Sequence, residues 1–432
     1  MNKIYYGVLL GSILSLGACK KDYGDLNHAT VEQFAANATV SELNNLVSGT
    51  ESGMRSNLAL YLDDVGSIGR ELYHLSISEP RYVTDLLGAN GATLSNSNFY
   101  ITNEWASRYQ VIKNCNILMQ SATNSKLVTG AQRSGYIGFA RMIKAYELLL
   151  TLNLTDSNGI RVDVSDPDHL GPIVPYDDAL TAIASLLDSS KNDFSTADVA
   201  YTLAGFNPPF NDAAGLTKVN RALAARVAVY RQKWADAQTY LSQSFYDPQG
   251  DPGTGVYNVF GTGSGDQLNS FFVPRNSGGD TRVAHPSYAA DILSGDDRIS
   301  KAPVRNQIAL INGISGDRDV WVYTSNTAPI PIIRNEELQL IRAEAAVQLN
   351  QYPDALVAIN VVRQRHNLPA YAGPITSDAL ITEILYERRY SLYCEGHRWV
   401  DMRRYGRLSQ LPLDQPGDNV WTKFPLPVTE QS

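Results

Sequence analysis

Ala225-Arg226-Val227-Ala228, followed by Trp234-Ala235-Asp236-Ala237 and Leu241, returns 118 positions later as Ala343-Glu344-Ala345-Ala346, Tyr352-Pro353-Asp354-Ala355 and Ile359. In both copies two small residues three apart precede a turn and an aromatic follows it. A small residue stands three positions further on and a large apolar one four beyond that. Small side chains at this spacing share a helical face and let a second helix approach closely, so each copy reads as two antiparallel helices joined by a short turn. The helical period extends beyond the repeat. Trp105, Tyr109, Ile112, Asn116 and Met119 recur at spacings of three and four, as do Ile137, Arg141, Ala145, Leu148 and Leu152, and they predict two amphipathic helices. Leu380, Ile384, Leu385 and Leu392 predict another, with Thr376 or Ser377 as its N-cap and Gly396 as its stop.

The expected fold is therefore mainly α, a scaffold of tetratricopeptide-like helical hairpins. Residues 247–330 break the pattern: glycine occurs at 250, 253, 255, 261, 263, 265, 278 and 279, and proline at 248, 252, 274 and 286. Long stretches of this kind on a rigid frame are usually working surfaces or short irregular strands. A similar loop runs from Pro80 to Asn103. Residues 39–432 thus read as one domain, with an N-terminal part 39–245, a loop-rich insert 246–330 and C-terminal repeat helices 331–432.

At 432 residues with 44% hydrophobic and 19% charged side chains, the chain is long and apolar enough to bury a large core. A net charge of −8 repels polyphosphate and argues against nucleic-acid binding. The sequence contains no His-Glu-x-x-His, Cys-x-x-Cys, Gly-x-Ser-x-Gly or phosphate-loop motif. Gly261-Thr262-Gly263-Ser264-Gly265 lacks the strand–turn–helix setting of a dinucleotide site and reads as a flexible loop. The six histidines show no ligand spacing. Asp156, Asn158, Asp163, Ser165, Asp166 and Asp168 offer oxygens that suit calcium but miss EF-hand spacing, and a solvated acidic loop is the simpler reading. No cofactor or metal is expected, and the chain reads as a binding protein rather than an enzyme. His397 and Asp401, four apart, have the spacing of a base and its orienter but no nucleophile beside them. A charged clasp over the last helices fits them better.

The N-terminus carries Lys3, an apolar run from Val8 to Leu16, and Leu16-Gly17-Ala18-Cys19. That run is shorter than the roughly 20 residues that span a bilayer, and small residues precede the cysteine, as in a lipoprotein signal. Residues 1–18 are the expected signal peptide, Cys19 the lipidation site, and 19–38 a lipidated tether. Lipid acylation at Cys19 leaves Cys115 and Cys394. These two could pair in an oxidising compartment, but Cys115 shares a helical face with Ile112 and Leu118, which points to a buried free thiol.

The run from Glu387-Arg388-Arg389 through Glu395-Gly396-His397-Arg398-Trp399-Val400-Asp401 to Arg404-Tyr405-Gly406 closely resembles the C-terminal signature of the SusD/RagB family. The helix from Trp105 to Asn116, Asp297-Arg298, Pro329 to Leu338, and Leu426 to Glu430 resemble other parts of that family in the same order. Ser391 departs from it by replacing an acidic residue, and Val400 by replacing an aromatic one. Lys20-Lys21-Asp22 after Cys19 resembles a surface-export signal of Bacteroidota lipoproteins. The resemblance implies an outer-membrane lipoprotein, anchored at Cys19 and facing the cell exterior. It further implies a protein that captures an oligosaccharide, or in some relatives a peptide, for a SusC-like TonB-dependent transporter. The other reading open to the sequence is a lipid-anchored scaffold that docks only protein. Residues Glu387, Arg388, Arg389, Glu395, Gly396, His397, Arg398, Trp399 and Asp401 are structural in such a protein.

Sugars present apolar C–H faces ringed by hydroxyls, so their sites need aromatic platforms together with amide, carboxylate or guanidinium groups. Tyr outnumbers Phe and Trp together here, 24 against 11 and 5, and its ring and hydroxyl suit such a surface. Two loops contain the mixture. The first offers Arg81, Tyr82, Asn98 and Tyr100, and the second Phe272, Tyr288, Trp321 and Tyr323. Trp105, Trp234 and Trp399 sit among apolar helical partners and read as packing residues.

Overall fold

A computed structural model describes residues 36–430. The expected signal segment, Cys19 and most of the tether lie outside the described residues. Helices form where the apolar period predicts them, and some are opened by a side-chain cap. Helix α1 (Val40–Gly53) starts in a capping box between Thr39 and Glu42, and α2 (Leu58–Ile68) follows it. The predicted 105–119 and 137–152 helices are the central parts of α3 (Phe99–Asn124) and α4 (Gly130–Thr155); a Thr129–Gln132 capping box starts the latter. Helix α5 (Tyr176–Phe194) packs on α4 and on α6 (Ala213–Tyr230).

The repeat appears as two helical hairpins, α6 with α7 (Trp234–Gln243) and α9 (Asn335–Gln348) with α10 (Tyr352–Arg365). Ala225, Ala228, Ala237 and Leu241 are buried, as are Ala343, Ala346, Ala355 and Ile359. Even the turns correspond, since Gln232 and Asn350 both hold left-handed backbone, at φ 55° and 60°. A buried bidentate pair, Arg226 of α6 with Glu337 of α9 at 2.6 Å, ties one hairpin to the other. Helix α8 (Pro286–Asp291) is a single short turn region, and α11 (Ser377–Ser391) and α12 (Arg398–Arg404) close the array.

Between the hairpins the chain forms short two-stranded ribbons. Strand β1 (Leu72–Leu75) pairs antiparallel with β5 (Thr281–Ala284), and β2 (Ile160–Arg161) with β3 (Ile173–Val174). Strand β4 (Gly255–Asn258) pairs with β8 (Ile330–Arg334), and β6 (Val304–Ile311) with β7 (Ile314–Arg318). The loop-rich insert is thus pinned at both ends. Its β5 returns to the N-terminal part, and its β4 holds the strand that leads into α9. One apolar core runs from Ala38 to Phe424, with a second cluster beneath α9 to α12. Among the described residues no helix is long and apolar enough to cross a membrane. Cys115 and Cys394 are both free and buried.

The C-terminal signature is a clasp, but the helix that carries it stops earlier than expected. Thr376 is the cap of α11, its hydroxyl accepting from Ala379 N, yet the helix ends at Ser391 rather than at Gly396. Gly396 instead lies in the turn into α12, at φ 85°, where a Cβ would stand 2.9 Å from the Tyr61 ring. The charged side chains pair with the following helix and with segments outside the signature. Glu387 meets Arg298 at 2.7 Å, Arg388 meets Asp401 at 2.6 Å, Arg389 meets Asp291 at 2.8 Å and Glu395 meets Arg334 at 2.8 Å. The Trp399 indole donates to Trp421 O. His397 is buried with Glu337 3.8 Å away, and burial pushes its pKa down to about 4; Asp401 is committed to Arg388 and Arg404, so the two form no dyad.

Candidate ligand-binding face

The β1–β5 ribbon organises the face that carries the chosen loops. Side chains alternate along a strand, so His74 and its register partner Arg282 project to one side, and Leu75 and Thr281 to the other. On the first side Asp63 of α2 takes both, accepting two bonds from Arg282 at 2.6 Å and lying 3.0 Å from His74 Nδ1. Burial alone would push this carboxyl up. The guanidinium, with help from His74, outweighs it and holds Asp63 at about 2.

On His74 rests the ring of Tyr82, with centroids 4.0 Å apart and planes 25° from parallel. Phe99 meets Tyr82 edge-on at 5.3 Å, and the Arg81 guanidinium lies 4.8 Å from the Phe99 centroid. Arg81 is bound to Glu79 at 2.6 and 2.5 Å and donates to Asn98 Oδ1 at 3.0 Å. The Glu79 bond raises the pKa of Arg81, and the Arg81 bond lowers that of Glu79. The structure therefore gathers Arg81, Tyr82 and Asn98 into one half-buried cluster.

The Arg282 guanidinium also lies 4.5 Å from the Phe271 centroid. The next residue, Phe272, meets Trp321 at 5.9 Å, and Arg275 lies 6.0 Å from the Trp321 ring. Phe272 and Trp321 are half-buried. From Asn276 the chain borders a groove of about 560 Å³, whose other walls are Leu75, Ile77, Thr281 and the Arg305–Ile311 stretch of β6. Arg305 donates to Ser277 O and pairs with Asp319, which also accepts from Asn276 N, so the groove wall is cross-braced. Ile77, Ile308 and Leu310 expose apolar surface along it.

Three expected ligand contacts are core residues instead. Tyr100 is fully buried, its hydroxyl held by Asp85, Asn98 and Ser95 N. Tyr288 donates to Arg298 O and packs on Tyr390 and Tyr393, and Tyr323 donates to Cys394 O. Their loops fold back over the helices, so these rings offer no platform. Conversely, His74, Phe99 and Arg275 belong to the face but were not among the expected contacts. The Arg-aromatic adjacency in Arg81-Tyr82 and the Phe99-Tyr100 pair were the available signals, whereas nothing local marks His74.

Three carboxylates of the acidic stretch 156–168 are already engaged. Asp163 accepts from Ser165, Asp166 from Asp168 N, and Asp156 pairs with Arg403. Among the described residues no group of three or more His, Cys, Asp or Glu side chains is placed to hold a metal ion.

With this geometry in view, residues 303–424 match the model of the SusD family. A surface glycan-binding protein A from Bacteroides thetaiotaomicron, solved with laminarihexaose, superposes with a TM-score of 0.69 over 91% of this chain and 97% of that one, at 14% identity. This chain is SusD-like in its C-terminal sequence and in its whole fold. A SusD superfamily protein from Bacteroides vulgatus gives a TM-score of 0.68 at 16% identity, covering 91% and 96% of the two chains. The SusD-like protein P38 of Formosa agariphila is 36% identical over 83 residues. That match covers 17% of this chain and only 16% of the relative. The SusD-like signature found in the sequence is the part that clamps the insert to the last helices.

Proposed function

We propose that this SusD-like chain captures oligosaccharide on its loop-rich face without cleaving it, and passes it to a SusC-like TonB-dependent transporter. The observation that carries the reading is the half-exposed Phe272–Trp321 pair with Arg275, beside a groove of about 560 Å³. It stands on a fold whose solved relative holds laminarihexaose. Half-exposed aromatic rings match the C–H faces of pyranoses, and braced polar walls match their hydroxyls. Residues 39–432 serve as one binding unit, tethered to the outer membrane through lipid on Cys19 and facing the exterior.

A peptide-binding role is less well supported, because a peptide terminus needs an uncommitted charge. Arg81 is bound to Glu79, and Arg275 lies 3.9 Å from Asp319. The test is a glycan array followed by titration with laminarihexaose, with mass spectrometry of the recovered sugar. Binding with intact sugar supports the reading; shortened sugar overturns it, as does binding confined to peptides. Co-purification with a TonB-dependent barrel and palmitate labelling lost in Cys19→Ala test the delivery and anchoring steps.

A further inference from the structure

A cavity of about 320 Å³ lies between α3 and the loop joining β2 to β3, and it shares no residue with the face described above. Small-molecule sites commonly measure roughly 300–1,000 Å³. Trp105, Tyr109 and Lys113 line it from α3, four positions apart and so on one side of the helix. Val164, Pro167 and Leu170 line it from the loop. Two fastenings hold that loop in place. The Tyr109 hydroxyl donates to Arg161 O at 2.7 Å and accepts from Arg161 N at 2.9 Å, and Asn116 Nδ2 donates to Val164 O at 3.0 Å. Lys113 stands on the helical turn between these two points. Gly171 N donates to Asp163 O and closes the loop on itself.

The polar groups around the cavity divide into spent and unspent. The Trp105 indole N–H and Arg161 Nε both donate to Glu430, one to each carboxylate oxygen, and Arg161 Nη1 donates to Gly171 O. A sugar's hydroxyls would therefore meet an indole, a phenol and a carboxylate that are already engaged. The exposed Lys113 ammonium and Arg161 Nη2 have no partner among the described residues. Two cations against the one carboxylate of Glu430 leave the lining with a net positive charge. Asp163, Asp166 and Asp168 belong to the same loop, but none of them lines the cavity. The rest of the wall is carbon: the Trp105 and Tyr109 rings lie 4.6 Å apart, and Leu170 is left 48% exposed. Apolar wall with unspent positive charge at its edge suits a ligand that has an apolar body and one negative group.

We infer that this cavity binds a small amphipathic carboxylate, its apolar body against Val164, Pro167 and Leu170 and its carboxylate on the Lys113 ammonium. The site stands apart from the oligosaccharide reading, because the two have no residue in common.

The test is calorimetric titration of the full-length mature protein with 3-phenylpropionate and 4-methylpentanoate, and with 3-phenylpropanol as the uncharged match. At least one carboxylate is expected to bind, and the alcohol about ten-fold more weakly or not at all. Lys113→Gln removes a charge that has no partner to strand, and Leu170→Asp sets a negative charge in the apolar wall. Both positions are exposed, so the melting temperature is expected to hold. Each substitution is expected to weaken carboxylate binding about ten-fold, whereas Trp321→Ala and an excess of laminarihexaose leave it unchanged. Absence of binding by both acids at millimolar concentration overturns the inference, as does equal affinity for the alcohol or affinity that survives both substitutions. Carboxylate binding lost in Trp321→Ala, or displaced by laminarihexaose, belongs to the loop-rich face and overturns it too.

Discussion

Arg298 and Glu387 lie 2.7 Å apart although 89 positions separate them, and both side chains are buried. Arg298 starts from the insert, where Asp296 holds it at 2.7 Å, and reaches α11, where it also donates to Ser391 Oγ at 2.9 Å. Ser391 in turn donates to Glu336 Oε1 of α9 at 2.7 Å. The serine that stands where the family signature carries an acid therefore bridges a cation and an anion. Removing one member of a buried ion pair strands the other and costs about 3–5 kcal/mol. Arg298→Met is expected to lose that much in urea denaturation. Glu387→Gln should lose less, because Arg298 keeps Asp296. A loss under about 1 kcal/mol for Arg298→Met would show that the clasp holds nothing.

The two kinds of aromatic on the loop side separate by experiment. Trp321→Ala and Tyr82→Ala remove half-buried rings and are expected to weaken oligosaccharide binding ten-fold or more, with small changes in melting temperature. Tyr323→Phe removes the hydroxyl that satisfies Cys394 O, so it should cost about 1–3 kcal/mol of stability and leave affinity unchanged. Calorimetric titration alongside thermal melting reads both quantities. The reverse pattern would move the site into the rings now placed in the core.

The hairpin register was legible because it is local: small residues, an aromatic and a turn recur within twenty positions, and even the left-handed turn residues align. The same holds for the Thr376 cap. The site was legible only in composition. Which tyrosine of a loop faces outward depends on where the loop lands, and Tyr100 lands on Asp85 while Tyr82 lands on His74. His74 itself is placed by a ribbon partner more than two hundred residues away, which no local pattern encodes. The signature residues announced a clasp but not its partners, since Arg298, Arg334 and Asp291 all come from other segments.

Gly396 offers a sharper backbone test. Its φ of 85° is left-handed, and a Cβ there would meet Tyr61 Cε1 at 2.9 Å. Gly396→Ala combines backbone strain with a clash and should cost about 1–3 kcal/mol. Gln232→Gly relieves a left-handed residue in the exposed α6–α7 turn and should gain about 0.5–1 kcal/mol. Opposite signs in paired chemical denaturation curves are the expected outcome; equal signs would contradict the turn geometry.

Buried carboxyls set the pH dependence, and they divide into two groups. Burial pushes Glu71 and Glu104 up to about 8, and Glu147 up to about 7. The fold favours their protonated forms, so the stability they contribute is complete below the ordinary value of 4.5. It is lost as pH rises through 7 to 8, at up to about 1.4 kcal/mol per pH unit for each group. Asp63, Glu337 and Asp401 behave oppositely: burial pushes each up, but Arg282, Arg226 and Arg388 respectively outweigh it and hold each at about 2. Their contribution is complete above about 4.5 and is lost as pH falls toward 2. His397, lowered to about 4 by burial, also favours higher pH between 4 and 6.5, but the raised carboxyls outnumber it, with Glu387 pushed up to about 8 by burial and Asp64 raised as well. Maximum stability is therefore expected near pH 5, with melting temperature falling on both sides. Glu71→Gln should match the parent at pH 5 and melt higher than it at pH 8.5, because the amide cannot ionise. A parallel pair of melting curves across that range would show that Glu71 is not the group being titrated.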